Sequence, residues 1–272
     1  MKTLGVRHAG ETTISGTDAV FEIGSLTKLL TGALLALLVE DGVVALDDPV
    51  ARHLPVAPPV QGRPITLEDL ATHRSGLPRV PRKLERWDRR DPYAQFTADR
   101  MPDVIARTAP KAEPGGRVAY SNYGYGLLGF ALGHAASSTY GELIRTRLTD
   151  PLAMTRTGLD TPGLVQGHTF AGRPTPPWNL AALAGAGGLR STASDVLRFL
   201  TSEPARASLA WFKAPGGHGL LMHDGGTGGF RSFALLKGET AVVALHDHAR
   251  RINGAAFKAL KTAEGSRPGR QA

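Results

Sequence analysis

The sequence predicts an α/β (α+β) protein: an antiparallel β-sheet flanked by helices, joined to a mostly helical second lobe. Three observations carry that expectation. Pattern types run along the chain as strands, then helices, then strands again. One helix-length stretch, 25–40, is apolar around most of its circumference, as a buried helix must be. The chain has 272 residues, 42% hydrophobic and 21% charged, enough to bury a sizeable core without staples.

The elements follow in order. Residues 3–7 and 11–15 flank a His8-Ala9-Gly10 turn and predict a hairpin. Ser25 to Glu40 is the apolar helix, stopped by Asp41-Gly42. Residues 43–118 are rich in Pro and Arg, with a short helical window at 67–72. Helices are expected over 123–136, 140–148 and 194–200, the last started by Ser191-Thr192. The segments 219–223, 229–236 and 240–246 alternate or run apolar between Gly clusters and predict strands. An amphipathic helix over 253–262 closes the pattern. The simplest closure brings both ends of the chain into one sheet. The sheet lobe is then expected over 1–45 and 205–263, the helical lobe over 46–204, and a polar, basic, disordered tail over 264–272.

Composition removes several classes of function. There is no Cys, which excludes a disulfide scaffold, a thiolate metal site and a cysteine nucleophile. The net charge is 32 − 24 = +8, which alone fits nucleic acid, an acidic membrane surface or plain solubility. Arg79 to Arg90 holds six basic residues interleaved with Glu85 and Asp88 around Trp87, and no nucleic-acid motif accompanies it. A solvated segment is the expectation there, with no nucleic-acid partner. The first residues form no apolar signal core, and the longest apolar run, Leu29 to Val39, is too short for a bilayer. A cytoplasmic protein without a membrane partner is expected, and its oligomeric state is not legible.

Three short motifs carry possible chemistry. Ser25 and Lys28 in Gly24-Ser25-Leu26-Thr27-Lys28 are three apart and share a helix face at the mouth of the buried helix. A serine hydroxyl needs a base, and a lysine serves as one only when burial or positive neighbours keep it neutral. The bland alternative is an N-cap serine and a solvated lysine. Tyr120-Ser121-Asn122 offers a phenol for acid–base work and an amide to orient a lysine and a substrate carbonyl. Its bland alternative is a loop tyrosine with an N-cap asparagine. His223 to Phe230 is dense in Gly, which lets another backbone approach closely, yet it lacks the spacing of a phosphate loop. A flexible connection with an exposed His223 is the alternative.

Taken together, Ser25-x-x-Lys28, Tyr120-x-Asn122 and His223-x-Gly225 resemble the three ordered motifs of the serine β-lactamase and penicillin-binding-protein family. The nearest branch is the class C β-lactamase-like, esterase and DD-peptidase group. The stretches 21–28, 70–78, 120–125, 187–192 and 223–230 are all similar to that branch, so the resemblance covers about 20–250. It implies a β-lactamase/transpeptidase-like fold, with Ser25 as the acylated nucleophile and Lys28 taking or relaying its proton. Tyr120 would be the partner acid/base and Asn122 an orienting amide. His223 stands where many relatives carry the Lys of K-T-G. The backbone N–H groups of Ser25 and Gly226 would form the oxyanion hole, with Gly225 and Gly226 against the substrate. No cofactor or metal is implied.

Departures narrow the expected substrate. Only 24 residues precede Ser25, fewer than the family usually has, and 158–186 is short. His223 removes a permanent positive charge and Asp224 adds a negative one, which argues against substrates anchored by a carboxylate. An ester or amide small molecule, or an acyl donor for transfer, is therefore expected ahead of a β-lactam or a D-alanyl-D-alanine peptide. A catalytically silent binding homologue is the alternative outside enzymes. One further cluster, His246-Asp247-His248, has the H-x-H form of a zinc ligand pair. A third ligand at useful spacing is missing along the chain, so a polar turn is expected there.

Overall fold

Alternation of apolar side chains decides the architecture, because the central strands must satisfy two different faces. The computed structural model describes residues 1–81, 90–214, 216 and 219–265. The expected hairpin forms as β1 (Lys2–His8) and β2 (Glu11–Ser15). It is followed by the two-residue β3 (Phe21–Glu22) and the long helix α1 (Thr27–Glu40). The middle of the chain supplies α2 (Leu67–Ala71), α3 (Met101–Arg107), α4 (Asn122–Ala135) and α5 (Tyr140–Ile144). Two-residue strands β4 (Gly167–His168), β5 (Pro174–Thr175) and β6 (Arg190–Ser191) precede α6 (Ala193–Leu200) and α7 (Glu203–Ala207). The chain ends in β7 (Phe212–Lys213), β8 (Leu221–Gly226), β9 (Arg231–Lys237), β10 (Thr240–His246) and α8 (Asn253–Gly265).

The main sheet is antiparallel throughout, in the order β2-β1-β10-β9-β8-β7. β1 pairs with β10 from Lys2↔His246 to Arg7↔Ala241, so the two ends of the chain meet in the middle of the sheet, as expected. In β10, Ala241, Val243 and Leu245 point into the main core, while Val242 and Ala244 point the other way, under Ile252 and, from α8, Ala256 and Leu260. Period two thus builds one layer of helix on each side of the sheet. On the main-core side α6 lies directly on β1 and β10. A methyl on Gly5 would sit 2.8 Å from Leu197 of α6. That helix falls inside 46–204, the stretch expected to be the helical lobe, yet its amphipathic face docks on the sheet.

α1 runs through the centre, packed against α4, α5 and α7. Ten of its fourteen residues are buried, in keeping with its all-round apolar sequence. Two other expectations shift. The helix expected over 140–148 keeps α geometry only to Ile144 and relaxes into a π turn over Arg145–Thr149. α8 continues to Gly265, past the expected end at 262, so the first two residues of the expected tail are helical, while 266–272 lie outside the described residues. Leu34 of α1 is fully buried in the main core. Leu34→Ala should therefore cost about 2–5 kcal/mol, read as a lower urea midpoint at unchanged slope. A loss well below that would show that α1 is not the packed centre.

Candidate active site

Ser25 is held by a turn that its neighbours fix from three sides. Residues Gly24–Leu26 form one 3-10 turn ahead of α1, so the serine precedes the α-helix proper and its hydroxyl caps nothing. Ile23 N–H donates to Leu189 O at 3.1 Å, Leu189 N–H to Thr27 Oγ1 at 3.2 Å, and Ser232 Oγ to Ile23 O at 2.6 Å. The buried Glu22 carboxylate accepts Trp178 N–H at 2.7 Å and Thr227 Oγ1 at 2.6 Å, tying the turn to the loops beside it. Burial pushes the Glu22 carboxyl up, and the Thr227 hydrogen bond opposes that shift.

The glycine pattern allows β8 to lie against this turn. Gly24 has φ +49°, and a methyl there would meet Gly226 N at 2.5 Å. A methyl on Gly225 would meet Ile23 O at 2.4 Å and Ser25 N at 3.0 Å. The residues 224–226 are therefore strand rather than the flexible connection considered above. β7 pairs with Leu221 and Met222, and among the described residues no strand pairs with that edge of β8 beyond them, where it faces the cleft.

Lys28 is wholly buried. Its Nζ donates to Ser25 Oγ at 3.1 Å, to Asn122 Oδ1 at 2.9 Å and, in a short contact, to Ala186 O. Tyr120 OH donates to Ser25 Oγ at 2.8 Å. Four residues named from two separate motifs thus meet at one oxygen and one nitrogen. Burial holds the Lys28 amine well below its ordinary range, with help from the Arg79 charge, against the pull of Asp224. Burial also pushes the Tyr120 phenol up to about 12, partly offset by its bond to Ser25. Both groups are driven to their neutral forms. A neutral amine keeps two N–H donors and one lone pair. Asn122 Oδ1 and Ala186 O can only accept, so the lone pair is left for the Ser25 hydroxyl.

The bland alternative, Asn122 as an N-cap, is not what forms. Ser121 caps α4, accepting Gly124 N–H at 2.8 Å. That frees the Asn122 side chain, whose Nδ2 donates to Tyr93 OH at 2.9 Å. His223 is buried on β8, where burial pushes its imidazole down to about 3. Its Nδ1 lies 2.8 Å from Asp224 O, and Nε2 has no partner among the described residues. The cleft around Ser25 has a volume of about 970 Å³. Arg79, Tyr93, Trp178, Phe212 and Arg231 line it beside the expected residues. None of these five stands in a motif, so only the fold brings them to the site. His73 also went unassigned a role in the sequence. Its Nδ1 accepts Ser121 N–H at 3.2 Å and its ring lies 4.4 Å from that of Tyr120, steadying the phenol.

A sequence model of the beta-lactamase family matches residues 2–259. The chain belongs to the beta-lactamase family of serine hydrolases. Within that family it is 34% identical over 211 residues to the D-alanyl-D-alanine-carboxypeptidase/endopeptidase AmpH of Escherichia coli K12, covering 73% of this chain and 52% of that one. It is 27% identical over 219 residues to penicillin-binding protein 4 of Amycolatopsis lactamdurans, covering 72% and 53%. The chain thus spans about half the length of the curated relatives it matches. Among solved structures, the beta-lactamase/D-alanine carboxypeptidase of Yersinia pestis superposes with a TM-score of 0.82 at 24% identity, covering 97% of this chain and 92% of that one. A class C beta lactamase from Rhodobacter sphaeroides gives 0.78 at 24%, covering 97% and 93%. These superpositions bear out the expected beta-lactamase-type fold.

The close approach of β8 to the Ser25 turn yields a test. Gly225→Ala forces the strand away from Ile23 O and misplaces the β8 backbone relative to Ser25. Acylation by a reactive ester should fall about 100-fold or more, with near-native far-UV circular dichroism. Unchanged acylation would mean that β8 does not border the reacting centre.

Proposed function

We propose that this protein hydrolyses, or transfers the acyl group of, an ester or amide substrate through an acyl-enzyme on Ser25. The observation that carries the reading is the Ser25 hydroxyl lying within hydrogen-bond reach of both a buried lysine amine and a buried phenol. In acylation, the Ser25 proton passes to the Lys28 lone pair as Oγ bonds to the substrate carbonyl carbon. The N–H groups of Ser25 and Gly226 receive the oxyanion, a contribution that typically amounts to several kcal/mol. Collapse breaks the bond to the leaving group, which takes the Tyr120 proton. The phenolate so formed faces the new Lys28 ammonium, whose nitrogen lies 5.0 Å from the ring centroid, with Arg79 at the same distance. For deacylation, water or an acceptor gives a proton to that phenolate and attacks the acyl carbon. Oγ leaves and recovers its proton from Lys28, and Asn122 orients the amine throughout.

A second reading concerns the substrate. His223 is neutral and buried, so it supplies no charge to a substrate carboxylate. Arg79 and Arg231, however, bring two guanidinium groups to the same cleft. A relative of 34% identity is named a D-alanyl-D-alanine-carboxypeptidase/endopeptidase. Both favour a peptide with a free C-terminal carboxylate more than the sequence did. Release of D-alanine from a D-alanyl-D-alanine peptide separates this from plain esterase chemistry.

Intact mass after brief exposure to a p-nitrophenyl ester, and separately to a penicillin, tests the acyl-enzyme. Wild type should gain the acyl mass and Ser25→Ala should not. An equal adduct on Ser25→Ala would sink the reading. Tyr120→Phe should lower the rate about 10²–10⁴-fold. The pH profile tests the base. Because burial lowers the Lys28 pKa, kcat/KM should rise with pH as the amine loses its proton, on a limb lying well below the ordinary lysine range. Lys28→Arg should abolish turnover, since a guanidinium does not deprotonate at these pH values.

A further inference from the structure

The fold assembles a ligand set different from the H-x-H pair of the sequence: His248 stays, His246 drops out, and Asp247 and His168 join it. β10 ends at His246, and the chain turns through Asp247 and His248. Across from them, β4 brings in His168, nearly eighty residues earlier. Its backbone is fastened to that turn: His168 N–H donates to Asp247 O at 2.8 Å and Ala249 N–H to His168 O at 2.9 Å. Tertiary structure thus brings His168 to this turn, and the backbone that presents it is fixed on both sides.

The side chains converge. One potential ligand atom from each of His168, Asp247 and His248 lies within 4.8 Å of the others. His248 Nδ1 is 2.8 Å from Asp247 Oδ1, and His168 Nδ1 is 3.9 Å from Oδ2. The Met1 amino group also reaches Oδ1, so Oδ2 is the oxygen left on the His168 side. Asp247 is buried, and the two imidazoles stack with centroids 4.5 Å apart and planes 22° apart. The His246 ring continues the stack at 5.1 Å, and its buried Nδ1 has no partner among the described residues.

We infer that His168, Asp247 and His248 form a binding site for a divalent transition-metal ion of the zinc type. Two imidazoles and one carboxylate suit zinc, nickel or cobalt rather than calcium or magnesium, which prefer all-oxygen shells. Bonds of 2.0–2.1 Å in a tetrahedral ion place its ligand atoms about 3.4 Å apart. His248 Nδ1 lies 2.8 Å from Oδ1 and His168 Nδ1 3.9 Å from Oδ2, so the two rings approach different oxygens of one carboxylate. Side-chain rotation has to bring both rings and one oxygen onto the ion. His168 Nδ1 lies 3.1 Å from Asp247 O, to which it can only donate, so that ring would give up this contact to present a nitrogen lone pair to the ion, and water would take the fourth position. His168 N–H also donates to Gly229 O at 3.1 Å. The ion would therefore brace the 227–230 loop, whose Thr227 lines the cleft on its other side. This inference does not depend on the acyl-enzyme reading.

Calorimetric titration of tag-free, chelator-treated full chain with Zn²⁺ tests it, with Ca²⁺ and Mg²⁺ as comparison ions. One equivalent of Zn²⁺ should bind and raise Tm. His168→Gln and His248→Gln should each weaken binding about tenfold or more, while His134→Gln, at an exposed and distant histidine, should not. Should one glutamine variant fail to fold, the other still decides, and the Co²⁺ absorption spectrum of wild type reports nitrogen and oxygen ligation directly. No stoichiometric Zn²⁺ binding, equal binding by both glutamine variants, or Ca²⁺ bound as tightly as Zn²⁺ would overturn the site.

Discussion

The site depends on a buried amine that has no ion-pair partner among the described residues. Lys28 is fully enclosed, and the atoms within reach of its nitrogen are two carbonyl oxygens and one hydroxyl. A charged ammonium there would carry a desolvation penalty that the Asp224 charge offsets only in part. The fold resolves that cost by favouring the free base, and the same neutrality makes the lysine useful. Everything around it serves the enclosure: α1 carries it, α4 presents Asn122, and the turn at 186 closes the far side.

That constraint explains why the serine stands outside the helix. Were Ser25 an N-cap, its hydroxyl oxygen would accept a backbone N–H and be lost to the lysine. The 3-10 turn at Gly24–Leu26 rotates it clear, and the positive φ of Gly24 makes the turn possible against β8. Ser121 plays the corresponding part for α4. By capping that helix it releases Asn122 to bridge Lys28 and Tyr93. In both places the residue beside the chemistry takes the structural task.

The periodic parts of the fold were legible in the sequence because burial imposes a period. The hairpin, α1, α4 and the three long C-terminal strands all carried it. The two-residue pairs β3–β6 and β4–β5 did not, since a strand of that length has no alternation to read. α7, of five residues, is equally short, and Pro at its start reads as a breaker until the Ser202 cap is seen. Among site residues, Ser25, Lys28, Tyr120, Asn122, His223, Gly225 and Gly226 were legible as motifs and stand together in space. Arg79, Tyr93 and Trp178 were not, because their approach to the cleft depends on loops without repeating pattern, and Arg231 was not because a strand pattern does not say which cleft its first residue faces. His168 is the extreme case. Its partners lie nearly eighty residues away, and only the β4 backbone pairing reveals them.

The replacement of a third-motif lysine by His223 acquires a different meaning once burial is known. From sequence, it removed a charge available to the substrate. In the fold, His223 packs 5.3 Å from the Phe212 ring, and Lys28 is among the groups that disfavour its protonation. A second ammonium at this buried position would press Lys28 further toward neutrality and would itself need a counter-charge. A neutral imidazole avoids that competition and leaves positive charge to Arg79 and Arg231 at the cleft wall. Arg231 donates to Thr227 O and Phe230 O, which fixes its guanidinium at the end of β9, paired with Gly226. Positive charge in this cleft is thus moved from the floor of the site to its rim. There it can meet an anionic group without disturbing the Lys28 amine beside Ser25.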